Sequence, residues 1–218
     1  MIKECFKNQD FRVLWGAGGM TGIARAMEFL ALSLYALEEL GLPYLVTIIF
    51  AARMLPMSLF GIIIGTISER ISPLLLIKII YFLSNFFTAT SVILVITNNF
   101  NIYFAFILAF VNGITWVVDL AVRRRVLADN IKKNLLSSSL AMETLSNNAT
   151  RLIGPLFAGT LYTFAGLSGI FFLQLLMYIF ALGLILRFKD NTSKNYFSNS
   201  PNKTVLNIKE HWAHGLLD

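Results

Sequence analysis

Several stretches of this chain approach the roughly 20 consecutive apolar residues that cross a hydrocarbon core. That feature limits the fold more than any other. The chain is 56% hydrophobic and 14% charged, whereas soluble domains run at about 45–50% and roughly 25%, so it needs a bilayer to bury its surface. The pattern predicts an all-α membrane protein with six helices, at 13–37, 44–67, 74–97, 102–122, 138–165 and 168–187. A transmembrane β-barrel would instead alternate apolar and polar residues over segments of about ten, and no such segment is present. The first stretch is too long for a cleaved signal peptide and carries Arg25 and Glu28 in its middle.

The net charge of +6 raises the question of nucleic acid, and its placement answers it. With the N-terminus in the cytoplasm, the inner segments hold Lys3, Lys7, Arg12, Arg70, Lys78, the run Arg123-Arg124-Arg125, Lys132, Lys133, Arg187, Lys189, Lys194, Lys203 and Lys209. Only Arg25, Arg53 and Arg151 remain, and all three lie within spans. The outer connections "EELGLP", "TNNFN" and "GLSG" carry no basic residue. This is the positive-inside rule, and it predicts an inner (plasma) membrane protein with both termini cytoplasmic. The arginine run reads as a juxtamembrane anchor rather than a nucleic-acid contact.

Ionisable residues within spans cost roughly 2.5–3.5 kcal/mol each at a helix centre, so their distribution is informative. The first span has Arg25 and Glu28, the second Arg53, the third none. The fourth has Asp119, the fifth Glu143 and Arg151, the sixth none. Charged, charged, empty occurs twice. An arginine followed closely by a proline also occurs twice, as Arg53 with Pro56 and Arg151 with Gly154-Pro155, on the second and fifth spans. Arg53 is nine residues in from the outer end of its span and Arg151 about thirteen in from the inner end, so at ~1.5 Å per residue both approach mid-membrane. Triplets of opposite orientation with matching features predict a 3+3 inverted-topology repeat.

Glu143, Asn147, Arg151, Gly154 and Ala158 recur at spacings of four and three and form one stripe of a helix, expected to face a cavity or another helix. Arg25 and Glu28 are i,i+3 neighbours and can pair locally. A carboxylate beside an arginine is the raw material of a proton-coupled carrier and equally of an inert pair. Asp119 and Arg123 can pair near the headgroups. Pro56 and Gly154-Pro155 predict a kink or a close helix crossing, and Gly61 with Gly65 forms a small-xxx-small packing face.

The second span ends "GIIIGTISERISPLLLIK", which resembles the signature loop of the major facilitator superfamily, with Gly65, Glu69 and Arg70 at the matching offsets. Glu69 stands for the usual aspartate, Ser72 for the later glycine and Pro73-Leu74 for the basic pair. "FRVLWGAGGMTGIARAMEFLALSLYAL", "AARMLPMSLFGIIIG" and "RLIGPLFAGTLYTFAG" look like segments of the enterobactin and macrolide exporters of that superfamily, with Arg151, Gly154, Pro155 and Gly159 the most specific matches. The resemblance covers about 11–187 and implies a secondary efflux permease for a small organic molecule, driven by an ion gradient. It also implies that the first and fourth helices line the cavity and the second and fifth form side gates. That family has twelve helices, so the expectation is an N-terminal half, either truncated or split from the rest of its reading frame, or assembling with a second six-helix half or a second copy. The tail from residue 188 resembles the start of the linker between halves.

Other classes fit less well. Ser168 in "GLSG" has no histidine on its side of the membrane, since His211 and His214 fall in the tail, so the nucleophile of an intramembrane protease would lack its base. Cys/His clusters for a metal and a phosphate-cradling loop are absent from the sequence. The expectation is therefore no enzyme, no cofactor and no metal. The single cysteine, Cys5, reads as incidental. A non-transporting membrane scaffold is the alternative to the carrier. In the tail, Val205, Ile208, Trp212 and Leu216 share a face that suits the membrane surface.

Overall fold

The computed structural model describes residue 6, residues 9–130 and residues 133–187; for 10, 39, 60–70, 129–130 and 133–134 it describes the backbone alone. The expectations for Lys3, Cys5, Lys7, Lys132 and the tail from 188 lie outside the described residues. So do those for the side-chain surroundings of Gly61, Gly65, Glu69 and Arg70.

Every regular element among the described residues is helical. Helix α1 (Gln9–Leu34) runs into a π-helical turn, Tyr35–Glu39. It is followed by α2 (Tyr44–Arg70), α3 (Pro73–Ile96) and α4 (Ile102–Asn130). A helical stretch Lys133–Leu186 completes the fold. It breaks at Gly166, where φ 62° and ψ −158° are open in practice only to glycine, giving α5 (133–165) and α6 (167–186). By length and composition four helices among the described residues can cross a membrane, Phe11–Glu38, Pro73–Ile96, Ile102–Ala128 and the broken Leu135–Leu186, and the described part of α2, Tyr44–Leu59, is apolar as well.

Local chemistry sets several boundaries. Pro73 opens α3, where its missing N–H is not needed. The Asn101 side chain accepts the Phe104 amide at 2.9 Å and caps α4. Two boundaries differ from expectation. Helix α4 does not stop at 122 but continues to Asn130, because "RRRVLA" consists mostly of good helix formers. The outer connection "GLSG" shrinks to the break at Gly166, with 167–169 already helical.

Helix α1 packs along the Lys133–Leu186 stretch, α2 against α4, and α3 against both α4 and that stretch. Small residues allow the closest crossings. A Cβ at Gly113 of α4 would collide with the Arg53 carbonyl and meet the Pro56 ring of α2, and one at Gly154 of α5 would collide with Ala26 of α1. The proline-bearing segments are thus where helices cross closely, and both α2 and α5 continue helically through their prolines.

The interior has three levels. One apolar cluster gathers Phe11, Leu14, Ile77, Tyr81, Val118, Val122 and Ile185. The other gathers Met27, Leu32, Ile49, Leu108, Ile170 and Phe171. Between them, at matching heights on antiparallel helices, lie the buried polar residues Thr21, Arg25, Ser84, Thr88, Asn112, Thr115, Asp119 and Gln174. This mid-depth polar belt holds the candidate site.

Candidate substrate and ion pathway

The first part of the belt is an ion network. Asp119 of α4 is fully buried. Its Oδ2 accepts from Arg25 Nη2 of α1 at 2.6 Å. Its Oδ1 accepts from the Tyr81 hydroxyl of α3 at 3.1 Å and lies 3.1 Å from Arg123 Nε one turn along α4. Arg25 also donates to the Thr21 hydroxyl at 3.0 Å. Arg123 Nη2 reaches to within 3.8 Å of Glu143 Oε1 on α5, close enough for charge attraction and too far for a hydrogen bond. Two guanidinium groups and two carboxylates therefore link α1, α3, α4 and α5 with no excess charge.

Two expectations change here. Arg123 is not a headgroup anchor: it is 4% exposed and fits because Gly18 of α1 leaves the space its guanidinium occupies. Arg25 does not pair with Glu28 three residues on, because Asp119 offers it a shorter and fully buried partner.

Glu28 forms the second part. It is 2% exposed, and its Oε2 accepts from Gln174 Nε2 of α6 at 2.6 Å. Among the described residues no cation lies within ion-pair distance of it. Glu28 lines a cavity of about 10 Å³ together with Ser84, Thr88, Asn112, Thr115 and Tyr178, a size that admits about one water. Two atoms of its lining, Asn112 Oδ1 and the Tyr178 hydroxyl, are buried without a protein hydrogen-bond partner, as is Oε1 of Gln174. Buried polar atoms are rarely left so, and a water in the cavity would supply what they lack.

The third part answers why arginine precedes proline twice. Arg53 and Arg151 come from α2 and α5 and meet over one ring, with guanidinium carbons 5.6 Å and 5.1 Å from the centroid of Trp116 on α4. Arg53 also lies 5.4 Å from the Phe29 ring and donates to the Arg25 carbonyl at 3.1 Å. Both cations are within the roughly 6 Å range of a cation–π contact, worth about 0.5–2 kcal/mol each. Each lies within 5.6 Å of the same centroid, so they are no more than about 11 Å apart and repel by at least about 1.5 kcal/mol at an effective dielectric of 20. Neither makes an ion pair among the described residues. Arg53 is half-buried and Arg151 exposed.

The stripe on α5 is therefore divided. Glu143, Gly154 and Ala158 face inward, Asn147 and Pro155 are half-buried, and Arg151 opens outward. Asn147 contributes its backbone carbonyl to the Thr150 hydroxyl at 2.9 Å.

Trp116, Tyr81, Gln174, Asn112 and Tyr178 were not legible as site residues, since aromatic and amide side chains are common in spans. One signal was available. "GIARAME" at 22–28 and "GITWVVD" at 113–119 share Gly-Ile and an acid at the seventh position. A Cβ at Gly22 would meet Thr150, next to Arg151, just as one at Gly113 would meet Arg53. The two segments hold equivalent places against the two arginine-bearing helices.

A search of curated protein sequences finds no match to this chain. The family model described as transmembrane secretion effector matches residues 4–207, nearly the whole sequence and all of the described helices. The chain belongs to the transmembrane secretion effector family of the major facilitator superfamily.

Proposed function

We propose that this chain is one half of a proton-coupled secondary permease that exports a small organic molecule, with Glu28 as the group that takes up and releases the proton. Membrane transport in general follows from the family; the coupling, the direction and the half-permease architecture are our reading. In that reading residues 13–187 form six spans in a 3+3 inverted repeat within the inner membrane. Residues 1–12 and 188–218 are cytoplasmic, and a second six-helix half or a second copy completes the pathway. Support for the repeat comes from the paired segments at 22–28 and 113–119. Exchanging the two triplets also turns the α1–α5 crossing at Gly22 into the α4–α2 crossing at Gly113.

The observation that carries the proton assignment is the environment of Glu28. Of the other buried carboxylates, Asp119 has two arginines on it and is held as a charge, and Glu143 has Arg123 within 3.8 Å. Glu28 instead has an amide, a water-sized space and unpartnered polar atoms around it. Such a group can change its protonation state without breaking a direct ion pair.

Two measurements on the same preparation test this. Infrared difference spectra of the chain in lipid, recorded between acid and alkaline buffer, should contain a carboxylic-acid stretch that Glu28→Gln removes. Proteoliposomes that hold enough chain for two copies to pair, loaded with a mixture of small organic solutes, should redistribute at least one of them under an imposed pH gradient, and the variant should not. A wild-type chain that lacks the band and behaves like empty liposomes would end the proposal.

A further inference from the structure

We infer that the Arg53–Trp116–Arg151 cluster is a binding subsite for an organic anion that carries a flat aromatic body. The inference deepens the permease reading by naming the class of molecule, and it rests on that reading for the pathway the subsite would serve.

The cluster concentrates positive charge with no ion pair among the described residues, Glu28 acting on Arg53 only from beyond ion-pair distance. The belt matches cations to carboxylates one for one at Arg25, Asp119, Arg123 and Glu143. At Trp116 two guanidinium groups from separate helices converge with no carboxylate of the described residues within ion-pair distance of either. Cations at mid-membrane depth are costly unless water or a partner reaches them, and here two aromatic rings and one backbone carbonyl are the groups in contact. An anion is what this arrangement lacks. Arginine suits the task because its planar fork matches a carboxylate or phosphate edge and its face stacks on rings.

The surroundings specify the remainder of the ligand. Phe29 lies under Arg53 and packs edge-on to Phe50, with centroids 5.8 Å apart. Phe50 is 48% exposed. A wall of Phe29, Phe50 and Trp116 beside two cations is the mixture of apolar surface and a few directed polar groups that small-molecule sites use. A free inorganic anion would leave that wall unused, and a neutral aromatic would leave the cations unused.

The test uses full-length chain in phosphatidylcholine nanodiscs with no gradient, so it is independent of Glu28 coupling. Equilibrium dialysis should give saturable binding of radiolabelled benzoate, and benzylamine should bind at least tenfold more weakly. Arg151→Gln should weaken benzoate at least tenfold. That side chain is exposed, so the variant should keep the wild-type helical content. Arg151→Lys should recover part of the loss, and Trp116→Phe should weaken benzoate less than Arg151→Gln does. Gly183→Ala, in open space on α6, should bind benzoate like the wild type. Failure of the permease reading with benzoate binding intact would thus be seen as such.

Three results would overturn the inference. The first is no saturable benzoate binding, or equal binding of benzylamine. The second is displacement of benzoate when phosphatidylglycerol is added to the nanodisc, which would assign the cations to lipid headgroups. The third is a wild-type chain that excludes benzoate as a dimer and becomes monomeric on Arg151→Gln, which would assign them to a carboxylate of a second copy.

Discussion

Replacing Asp119 by asparagine removes one charge and almost no volume, which makes it the cleanest probe of the interior. In the native network the charges of Arg25 and Arg123 are balanced by Asp119 and Glu143. Asp119→Asn leaves one cation in excess at a position with no solvent exposure. Removing one partner of a buried ion pair costs about 3–5 kcal/mol, against about 0–1 kcal/mol for an exposed pair. Asparagine can still accept from Tyr81, so loss of that hydrogen bond adds little. At about 1.4 kcal/mol per factor of ten, the folded-to-unfolded ratio should fall more than a hundredfold. Adding Arg25→Gln leaves Arg123 with Glu143, a balanced pair, so the double variant should recover much of the loss. The coupling energy should reach about 1.5 kcal/mol or more, within the range for residues in direct contact. The assay is reversible denaturation in mixed micelles, followed by circular dichroism, for wild type, both single variants and the double. If Asp119→Asn fails to fold, recovery in the double variant still reads the coupling. A single variant within about 1 kcal/mol of wild type, or a double variant that loses the sum of the two, would show that water already screens these charges and that the network is not sealed.

The remaining predictions concern backbone and packing. Gly113→Leu should destabilise by about 1–3 kcal/mol, because its Cβ would press on the Arg53 backbone carbonyl, which cannot rotate away. Gly183→Ala, in open space on α6, should change stability by no more than about 1 kcal/mol in the same unfolding assay. Gly166→Ala should cost about 1–3 kcal/mol, since the break between α5 and α6 needs a conformation that a Cβ disfavours. An unchanged midpoint there would show that the turn can be made another way. Arg123→Gln should destabilise by more than about 2 kcal/mol and Arg124→Gln by less than about 0.5 kcal/mol, although the two are neighbours in one basic run. Equal effects would return Arg123 to the headgroup region.

Membrane residence and a helical fold were legible in the sequence, because a long apolar run has few ways to satisfy its backbone in lipid. So were several of the buried charges: Arg25, Glu28, Asp119 and Glu143 are all buried, and the cost of burying charge made each of them conspicuous. The partnerships were not legible. Sequence offers only the neighbours three and four residues away, which is why Arg25 looked matched to Glu28 and why Arg123 passed for an anchor. Helix α1 brings Arg25 to Asp119 across 94 positions of chain, and α6 brings Gln174 to Glu28 across 146. Which arginine is neutralised, which carboxylate is left without a cation, and which two guanidinium groups share an indole depend on how the helices are turned about their axes. Packing between glycines, prolines and small side chains sets that rotation, and a pattern along a single strand of sequence carries no record of it.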